Sequence, residues 1–161
     1  MYHRYEYSVT DGDVHSYKFT DYPVTLILAP AHYTLSGIEP SLNLYSIDLL
    51  RTGDKMNCNC GETVCKILVD FVNNNKKCSL GFYPSYKDNK EDARCCLFNK
   101  WLTKYVLDEN ITTIKNVLTF PTETGKTKEE LTLQVFMHDE YEYGDLMLSN
   151  LNAISKTIAS K

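Results

Sequence analysis

The 161-residue chain lacks several features that would place it at once in a functional class. Its longest apolar run, over residues 24–30, is far shorter than the about 20 residues that a membrane-spanning helix needs. The N-terminal residues contain no apolar stretch of the kind that directs secretion, so an export signal is not expected. With 17 basic against 21 acidic residues, the chain has no cationic excess to hold a phosphate backbone. We therefore expect a cytoplasmic protein that does not bind membranes and is a poor candidate for binding nucleic acids.

Motifs typical of enzymes are absent as well. None of the four histidines lies in a recognisable nucleophile motif, and there is no G-x-S-x-G sequence. The Gly-Lys-Thr triplet at 125–127 lacks the glycine that a phosphate loop has five residues earlier, where this chain has Phe120. The segment after it alternates with period two, whereas a phosphate loop leads into a helix. We expect a hairpin loop here, and the sequence leaves open whether the protein is an enzyme.

Paired C-x-x-C spacing, which structural zinc sites use, is also missing. We therefore expect reduced thiols, several of them buried, with no bound metal and no cofactor. A zinc site or a redox pair formed by Cys58, Cys60 and Cys65 is the alternative that the sequence leaves open. The six cysteines are at positions 58, 60, 65, 78, 95 and 96.

One polar loop near the C-terminus combines an imidazole with carboxylates. It contains His138, Asp139 and Glu140, followed by Glu142 and Asp145. Such groups can bind a divalent cation or transfer protons. The simpler interpretation is a solvated loop before the last helix, with Asp145 as the N-cap of that helix.

Tyrosine, by contrast, is abundant, with 12 residues in the chain and half of them in the first 33 positions. Alternating residues predict a hairpin over 5–19, in which Gly12 supplies the positive φ of the turn. Aromatic rings on neighbouring strands stabilise each other, and tyrosine is also frequent in binding surfaces. The tyrosines are therefore explained either by cross-strand packing or by a partner-binding face.

Hydrophobic periodicity predicts four strands followed by mixed elements. Proline at position 30, which has no amide hydrogen to donate, is expected to end the third strand. The resulting order, β-β-β-β-α-β-α-β-β-α, predicts an α+β fold with a largely antiparallel sheet in a single domain over 1–161. The predicted strands are 5–9, 15–19, 24–28, 42–50, 78–82, 112–120 and 131–137, and the predicted helices are 61–74, 88 or 89 to 105, and 145–159.

The second predicted helix presents an arginine in line with aromatic residues. Arg94, Phe98, Trp101 and Tyr105 follow at spacings of four, three and four, which places them on one face. We expect Trp101 to be buried between helix and sheet. Arg94 either covers the edge of the core or anchors an anion in a groove beside the residues that precede the helix. The candidate binding residues are Tyr83, Asp88, Arg94 and Trp101.

Three segments in this region resemble a family of small uncharacterised proteins from Bacteroidetes-type bacteria. They are the helix sequence Thr-Val-Cys-Lys-Ile-Leu-Val-Asp-Phe at 63–71, Leu-Gly-Phe-Tyr-Pro at 80–84, and Arg-Cys-Cys-Leu-Phe-Asn-Lys-Trp at 94–101. In that family the strand tends to end in a Cys-Asp pair, where this chain has Tyr83 and Pro84. The resemblance covers about residues 61–105 and implies a bacterial cytoplasmic protein, but no reaction.

Two functions are consistent with these observations. The first is a cytoplasmic protein-binding or regulatory module without catalysis, whose partner is another protein. The second is a small enzyme or anion-binding protein with a site near Tyr83, Asp88 and Arg94. A concave pocket holding a perturbed titratable group at this place would favour the second. The sequence predicts no oligomeric state.

Overall fold

The structure is a computed structural model that describes residues 5–20, 22–33, 37–51, 60–82, 91–106, 110–121 and 128–159. For residues 91–95, 116–121, 128–132 and 154–159 it describes the backbone alone. The strands are β1 (Tyr7–Thr10), β2 (His15–Phe19), β3 (Val24–Pro30), β4 (Leu44–Arg51), β5 (Ser79–Phe82), β6 (Ile111–Pro121) and β7 (Lys128–His138). The helices are α1 (Gly61–Asn74), α2 (Glu91–Tyr105) and α3 (Gly144–Ala159), with short 3-10 helices at Ala31–Tyr33 and Pro40–Leu42.

The seven strands form one sheet in the order β1-β2-β3-β4-β5-β7-β6. Every neighbouring pair is antiparallel except β4 and β5, which are parallel and are connected through α1. The predicted α+β fold with a largely antiparallel sheet is therefore confirmed. The β6–β7 hairpin folds back so that β7, the later strand, lies beside β5 and β6 lies at the edge.

Helices cover the sheet on both faces. On one face the predicted apolar stripe of α1 is buried, including Val64, Leu68 and Phe71, and it packs with residues of the sheet such as Leu26 and Leu80. On the other face α3 packs against a second cluster of side chains. This second cluster contains Leu44, Leu133, Val135, Met137, Tyr141, Met147 and Leu151.

Strand β7 is buried on both faces, although its sequence alternates as in a strand with one solvent-exposed face. Its residues 133 to 138 are all less than 9% exposed, and they include the polar Gln134 and His138. Gln134 is accommodated because its Nε2 donates a hydrogen bond of 2.6 Å to Oδ1 of Asn99 on α2. The central place of β7 between β5 and β6 explains this burial, because helices lie on both sides of it.

Helices α1 and α2 meet at a contact between glycine and tryptophan. Trp101 is 5% exposed, which confirms that its ring is buried. The indole lies so close to Gly61 that a Cβ atom at this position would be 2.4 Å from Nε1 of Trp101. Glycine at the first position of α1 therefore allows α2 to approach.

Of two local predictions for the first strands, the one for Gly12 is wrong and the one for Pro30 is confirmed. Gly12 does not have a positive φ; among the described residues, positive φ angles occur at Gly37 and Asn43. The reason is that residues 11–14 separate β1 from β2, and loops of this length are most often built on type I turns, which need no positive φ. Pro30 ends β3 as predicted, because it is the last residue of the strand, where it pairs with Tyr45 of β4 and precedes a 3-10 helix. The missing N–H of Pro30 costs no hydrogen bond to β2, because the pairing of β2 with β3 begins at His15 opposite Leu28 and does not reach Pro30.

In the part of the chain that the structure describes, no helix has the length and apolar character needed to cross a membrane.

Candidate functional site

The sheet opens between its two parallel strands. Pairing of β4 with β5 covers only three residues, from Leu44 opposite Ser79 to Ser46 opposite Gly81. Beyond Ser46, β4 continues to Arg51 and pairs only with β3, whereas β5 ends at Phe82 and pairs with β7. We call the gap between residues 47–51 and the end of β5 the β4–β5 opening. In open α/β sheets, ligands bind outside the carboxyl ends of the parallel strands, and the β4–β5 opening lies at the carboxyl ends of β4 and β5.

The edge of β4 that faces this opening carries backbone groups that pair with no described strand. Ser79 N donates a hydrogen bond of 3.1 Å to Asn43 O, so the odd-numbered residues of β4 direct their backbone groups toward β5. Leu49 and Arg51 continue this alternation beyond the last paired residue. Their N–H and C=O groups therefore point into the opening, and no described strand pairs with them.

Helices α1 and α2 pack together on one face of the sheet, and both begin at the end of the sheet where the β4–β5 opening lies. Helix α1 follows the carboxyl end of β4, and α2 follows that of β5. Phe98 stacks on Phe82 at a centroid distance of 4.0 Å, whereas Val106 lies beside Ile111 near the opposite end of β5. The first turns of α2, which include Arg94, therefore extend beyond the carboxyl end of β5.

The charges near the opening are of both signs. Glu62 lies in the first turn of α1, and Glu91 and Asp92 are the first two residues of α2. Carboxylates at these positions offset the positive end of a helix dipole. Among the described residues, arginines near the opening are Arg51, which is exposed at the end of β4, and Arg94, which belongs to the first turn of α2.

The four candidate residues from the sequence have different outcomes. Tyr83 and Asp88 lie outside the described residues. Arg94 lies in α2, but its side chain is not described. Trp101 is buried against Gly61, so it can influence a ligand only through the position of α2 on α1.

Gln134 is a candidate that the sequence analysis missed. It lies opposite Phe82, the last residue of β5, and is 4% exposed. Its Nε2 donates to Asn99, but its Oε1 has no hydrogen-bond partner among the described residues. A buried acceptor without a partner costs about 1–3 kcal/mol. The signal in the sequence was a glutamine between apolar residues of β7. It indicates a buried polar group only once both faces of this part of β7 are known to be buried.

A concave feature lies at the other end of the helices. It is an apolar cleft, partly open to solvent, with an internal volume of about 10 Å³, which is space for about one water molecule. Small-molecule pockets usually enclose about 300–1,000 Å³ and include a few polar groups. The cleft is smaller and entirely apolar, so the β4–β5 opening is the better candidate site. The cleft is lined by Leu68, Val69, Val72, Leu102, Val106, Ile111 and Phe136.

The described cysteines do not form a reactive centre. Burial, together with the neighbouring Cys60, raises the pKa of Cys65 to about 12, so its thiol stays protonated at neutral pH. A protonated thiol is a poor nucleophile and a poor metal ligand. Among the described residues, no three His, Cys, Asp or Glu side chains are grouped closely enough to hold a metal ion. Cys58 lies outside these residues, so the predicted alternatives that include it stay predictions.

The groups of the polar loop near His138 bind one another. Nδ1 of His138, which is 8% exposed, accepts a hydrogen bond of 3.0 Å from the backbone N–H of Glu140. The Glu140 carboxylate lies 2.7 Å from Nζ of Lys76, which lowers the pKa of Glu140. Asp145 is not an N-cap, because α3 begins one residue earlier, at Gly144, and Met147 N donates to Tyr143 O. The polar groups of this loop therefore bond to one another and to Lys76, which follows α1.

Most described tyrosines of the first hairpin contact other rings. Tyr5 stacks on Tyr22 at 4.7 Å, and Tyr7 meets Tyr17 edge-on at 5.9 Å. The backbone N–H of Tyr5 also donates a hydrogen bond of 2.9 Å to Oγ1 of Thr63 in α1. These rings therefore take part in packing between the strands, while Tyr7 is still 37% exposed and the partner-binding alternative stays a prediction.

Comparisons with models of known protein families, with curated proteins and with solved structures find no match to this chain. The resemblance of residues 61–105 to a family of small bacterial proteins therefore stays a prediction.

Proposed function

We propose that the protein binds a small anionic molecule in the β4–β5 opening. The observation that carries this proposal is the separation of the two parallel strands after three paired residues, at the end of the sheet where α1 and α2 begin. The proposal extends the second of the two functions suggested by the sequence, a small enzyme or anion-binding protein with a site near Tyr83, Asp88 and Arg94. Tyr83 directly follows β5, and Arg94 lies in the first turn of α2.

The groups around the opening define the chemistry of the ligand. Leu49 and Arg51 offer backbone donors and acceptors along an extended edge, which suits a ligand with amide or hydroxyl groups in an extended conformation. The guanidinium groups of Arg51 and Arg94 suit a phosphate or carboxylate, since arginine binds both through paired hydrogen bonds. An extended molecule with one anionic end fits this combination best.

The test is an NMR titration of the whole chain with inorganic pyrophosphate and with citrate, as phosphate and carboxylate probes. We expect amide signals of residues 47–51 and of the first turns of α1 and α2 to shift. Arg51→Gln and Arg94→Gln should each weaken binding about tenfold or more, because a hydrogen bond to a charged group contributes about 1.5–3 kcal/mol.

Lys18→Gln is the matched control for these two variants. Lys18 is exposed on β2 and points away from the face that carries α1 and α2, so its loss should leave binding unchanged. Signals that shift equally in all three variants, or shifts spread over the whole surface, would refute a site in the β4–β5 opening.

The other function suggested by the sequence, binding of a partner protein, is supported by a different surface. On the face of the sheet opposite α1, Thr25 pairs with Leu50 and Ile27 pairs with Asp48. Leu50 is 48% exposed and Ile27 is half-buried, although β3 and β4 are interior strands. An exposed leucine beside a half-buried isoleucine on an interior part of a sheet suits contact with another protein.

Affinity capture from a bacterial lysate distinguishes this second candidate. Leu50→Asp should abolish the capture of a partner, whereas Leu146→Asp, a change at a leucine that is 60% exposed on α3, should not. Equal capture by both variants would exclude this face as the contact. A bacterial cytoplasmic setting is part of either proposal and is supported by the resemblance of residues 61–105; fractionation of the native cell tests it.

A further inference from the structure

The two edges of the sheet differ greatly in length. At one edge, β1 has four residues, whereas at the other β6 has 11. At about 3.3 Å per residue, β6 extends over about 35 Å. It pairs with β7 along its whole length, and no described strand pairs with its other side. A long edge strand with a free side is a template for pairing with another chain.

The backbone groups on the free side of β6 can be identified from one hydrogen bond. Asp139 N donates a hydrogen bond of 2.8 Å to Asn110 O, and this pair continues the register of the β6–β7 ladder. In an antiparallel pair, hydrogen-bonded positions alternate, so the even-numbered residues of β6 bond to β7. The odd-numbered residues therefore direct their N–H and C=O groups outward. They are Ile111, Thr113, Lys115, Val117, Thr119 and Pro121.

This edge has few of the features that prevent pairing. Natural edge strands are protected by short length, charged residues, proline or a bulge. In β6 the only charged residue is Lys115, and its proline is the last residue, where it removes only a terminal bond. Ile114 packs into the cluster under α3, so that helix lies on a face of β6, and no described strand pairs with the edge.

We propose that the β6 edge is a homodimer interface, at which β6 of one copy pairs antiparallel with β6 of a second copy. A two-fold axis at Asn116 overlaps the two strands completely and places Lys115 opposite Val117 of the other copy. The two lysines then do not face each other, and each outward N–H finds an outward C=O. A second copy is the occupant because this strand complements itself in length and in backbone pattern. The interface is independent of the β4–β5 opening.

The test is sedimentation velocity of the whole chain over a hundredfold range of concentration. We expect the wild type to dimerise and Val117→Pro to stay monomeric, since proline removes an outward N–H at the centre of the interface without removing a bond to β7. Val9→Pro is the matched control. Glu6 O accepts from Thr20 N, so even-numbered residues of β1 bond to β2 and Val9 directs its N–H outward at the opposite edge. This variant should dimerise like the wild type.

A wild-type chain that is monomeric at all concentrations would overturn the proposal, as would a dimer that withstands Val117→Pro. Val117→Glu provides an outcome that does not depend on a proline variant folding. It places a carboxylate opposite Lys115 of the second copy, so we expect dimerisation to become tighter at low salt. Weaker dimerisation, or none, would contradict the register.

Discussion

The contact between Gly61 and Trp101 leads to a prediction about how α1 and α2 pack. A Cβ atom at position 61 would lie 2.4 Å from Nε1 and 2.5 Å from both Cδ1 and Cε2 of Trp101. Carbon atoms in contact normally lie about 3.5–4.0 Å apart. The indole must therefore move by about 1 Å in Gly61→Ala. It is 5% exposed and packs against Phe98, so it has little space in which to move.

The expected cost follows from two opposing effects. Overpacking of a well-packed core destabilises by about 1–3 kcal/mol. Alanine has a higher helix propensity than glycine, by up to about 1 kcal/mol, and the gain is smaller at the first position of a helix. Overpacking is the larger effect, so Gly61→Ala should lower the free energy of unfolding by about 1–2 kcal/mol. For a chain of this length, each kcal/mol corresponds to a fall in Tm of about 2–4 °C.

Urea unfolding followed by far-UV circular dichroism measures this cost, and a double-mutant cycle assigns it to the ring. Trp101→Phe removes part of the indole, so Gly61→Ala should cost at least about 1 kcal/mol less in the Trp101→Phe background than in the wild type. If Gly61→Ala is as stable as the wild type, or if the two changes are additive, the ring does not lie on Gly61. The packing of α2 on α1 described above would then be wrong.

Three further predictions concern stability. Trp101→Ala should lower the free energy of unfolding by about 3–5 kcal/mol, as expected for a buried aromatic ring, whereas Arg94→Ala should lower it by only about 1 kcal/mol. Urea unfolding of both variants measures the difference, and equal costs would contradict the prediction. Burial raises the pKa of Cys65 in the native protein from the ordinary 9.0 to about 12, so the unfolded chain releases this proton first and stability is lost as the pH rises from 9 toward 12. Urea unfolding between pH 8 and pH 11 should show a loss on the order of 3 kcal/mol that is reduced in Cys65→Ala, and parallel pH profiles would refute the assignment. Thr63→Val, which removes the acceptor of the Tyr5 N–H, should cost about 1 kcal/mol by the same assay, and an unchanged midpoint would show that this hydrogen bond is not formed.

Periodicity in the sequence was sufficient to predict the helices and strands of this fold, but not to predict how they are arranged. The stripe of α1 and the alternation of the strands are local patterns, and the structure confirms the predicted order of elements. The position of β7 between β5 and β6 depends on contacts between distant residues, such as Phe136 with Leu80. For the same reason, the sequence did not indicate that Gln134 is buried. Gly12 shows the limit at the level of single residues, because the loop that contains it is longer than a two-residue turn.

The candidate site was predictable only where side chains define it. Arg94 and the residues that follow β5 were singled out from the sequence because arginine and aromatic residues carry recognisable chemistry. Leu49 and Arg51 take part through their backbone, and backbone groups are the same in every residue. Their exposure arises only because β4 and β5 separate after Ser46, which is a property of the whole sheet.

Amide hydrogen exchange along β4 in the ligand-free protein tests the β4–β5 opening most directly. Asp48 pairs with Ile27 and Leu50 with Thr25, and their N–H groups bond to β3, so we expect slow exchange at both. Leu49, between them, directs its N–H into the opening and should exchange much faster than either neighbour. If Leu49 is as protected as Asp48 and Leu50, its N–H is already bonded within the protein, and the opening proposed as the ligand site does not exist.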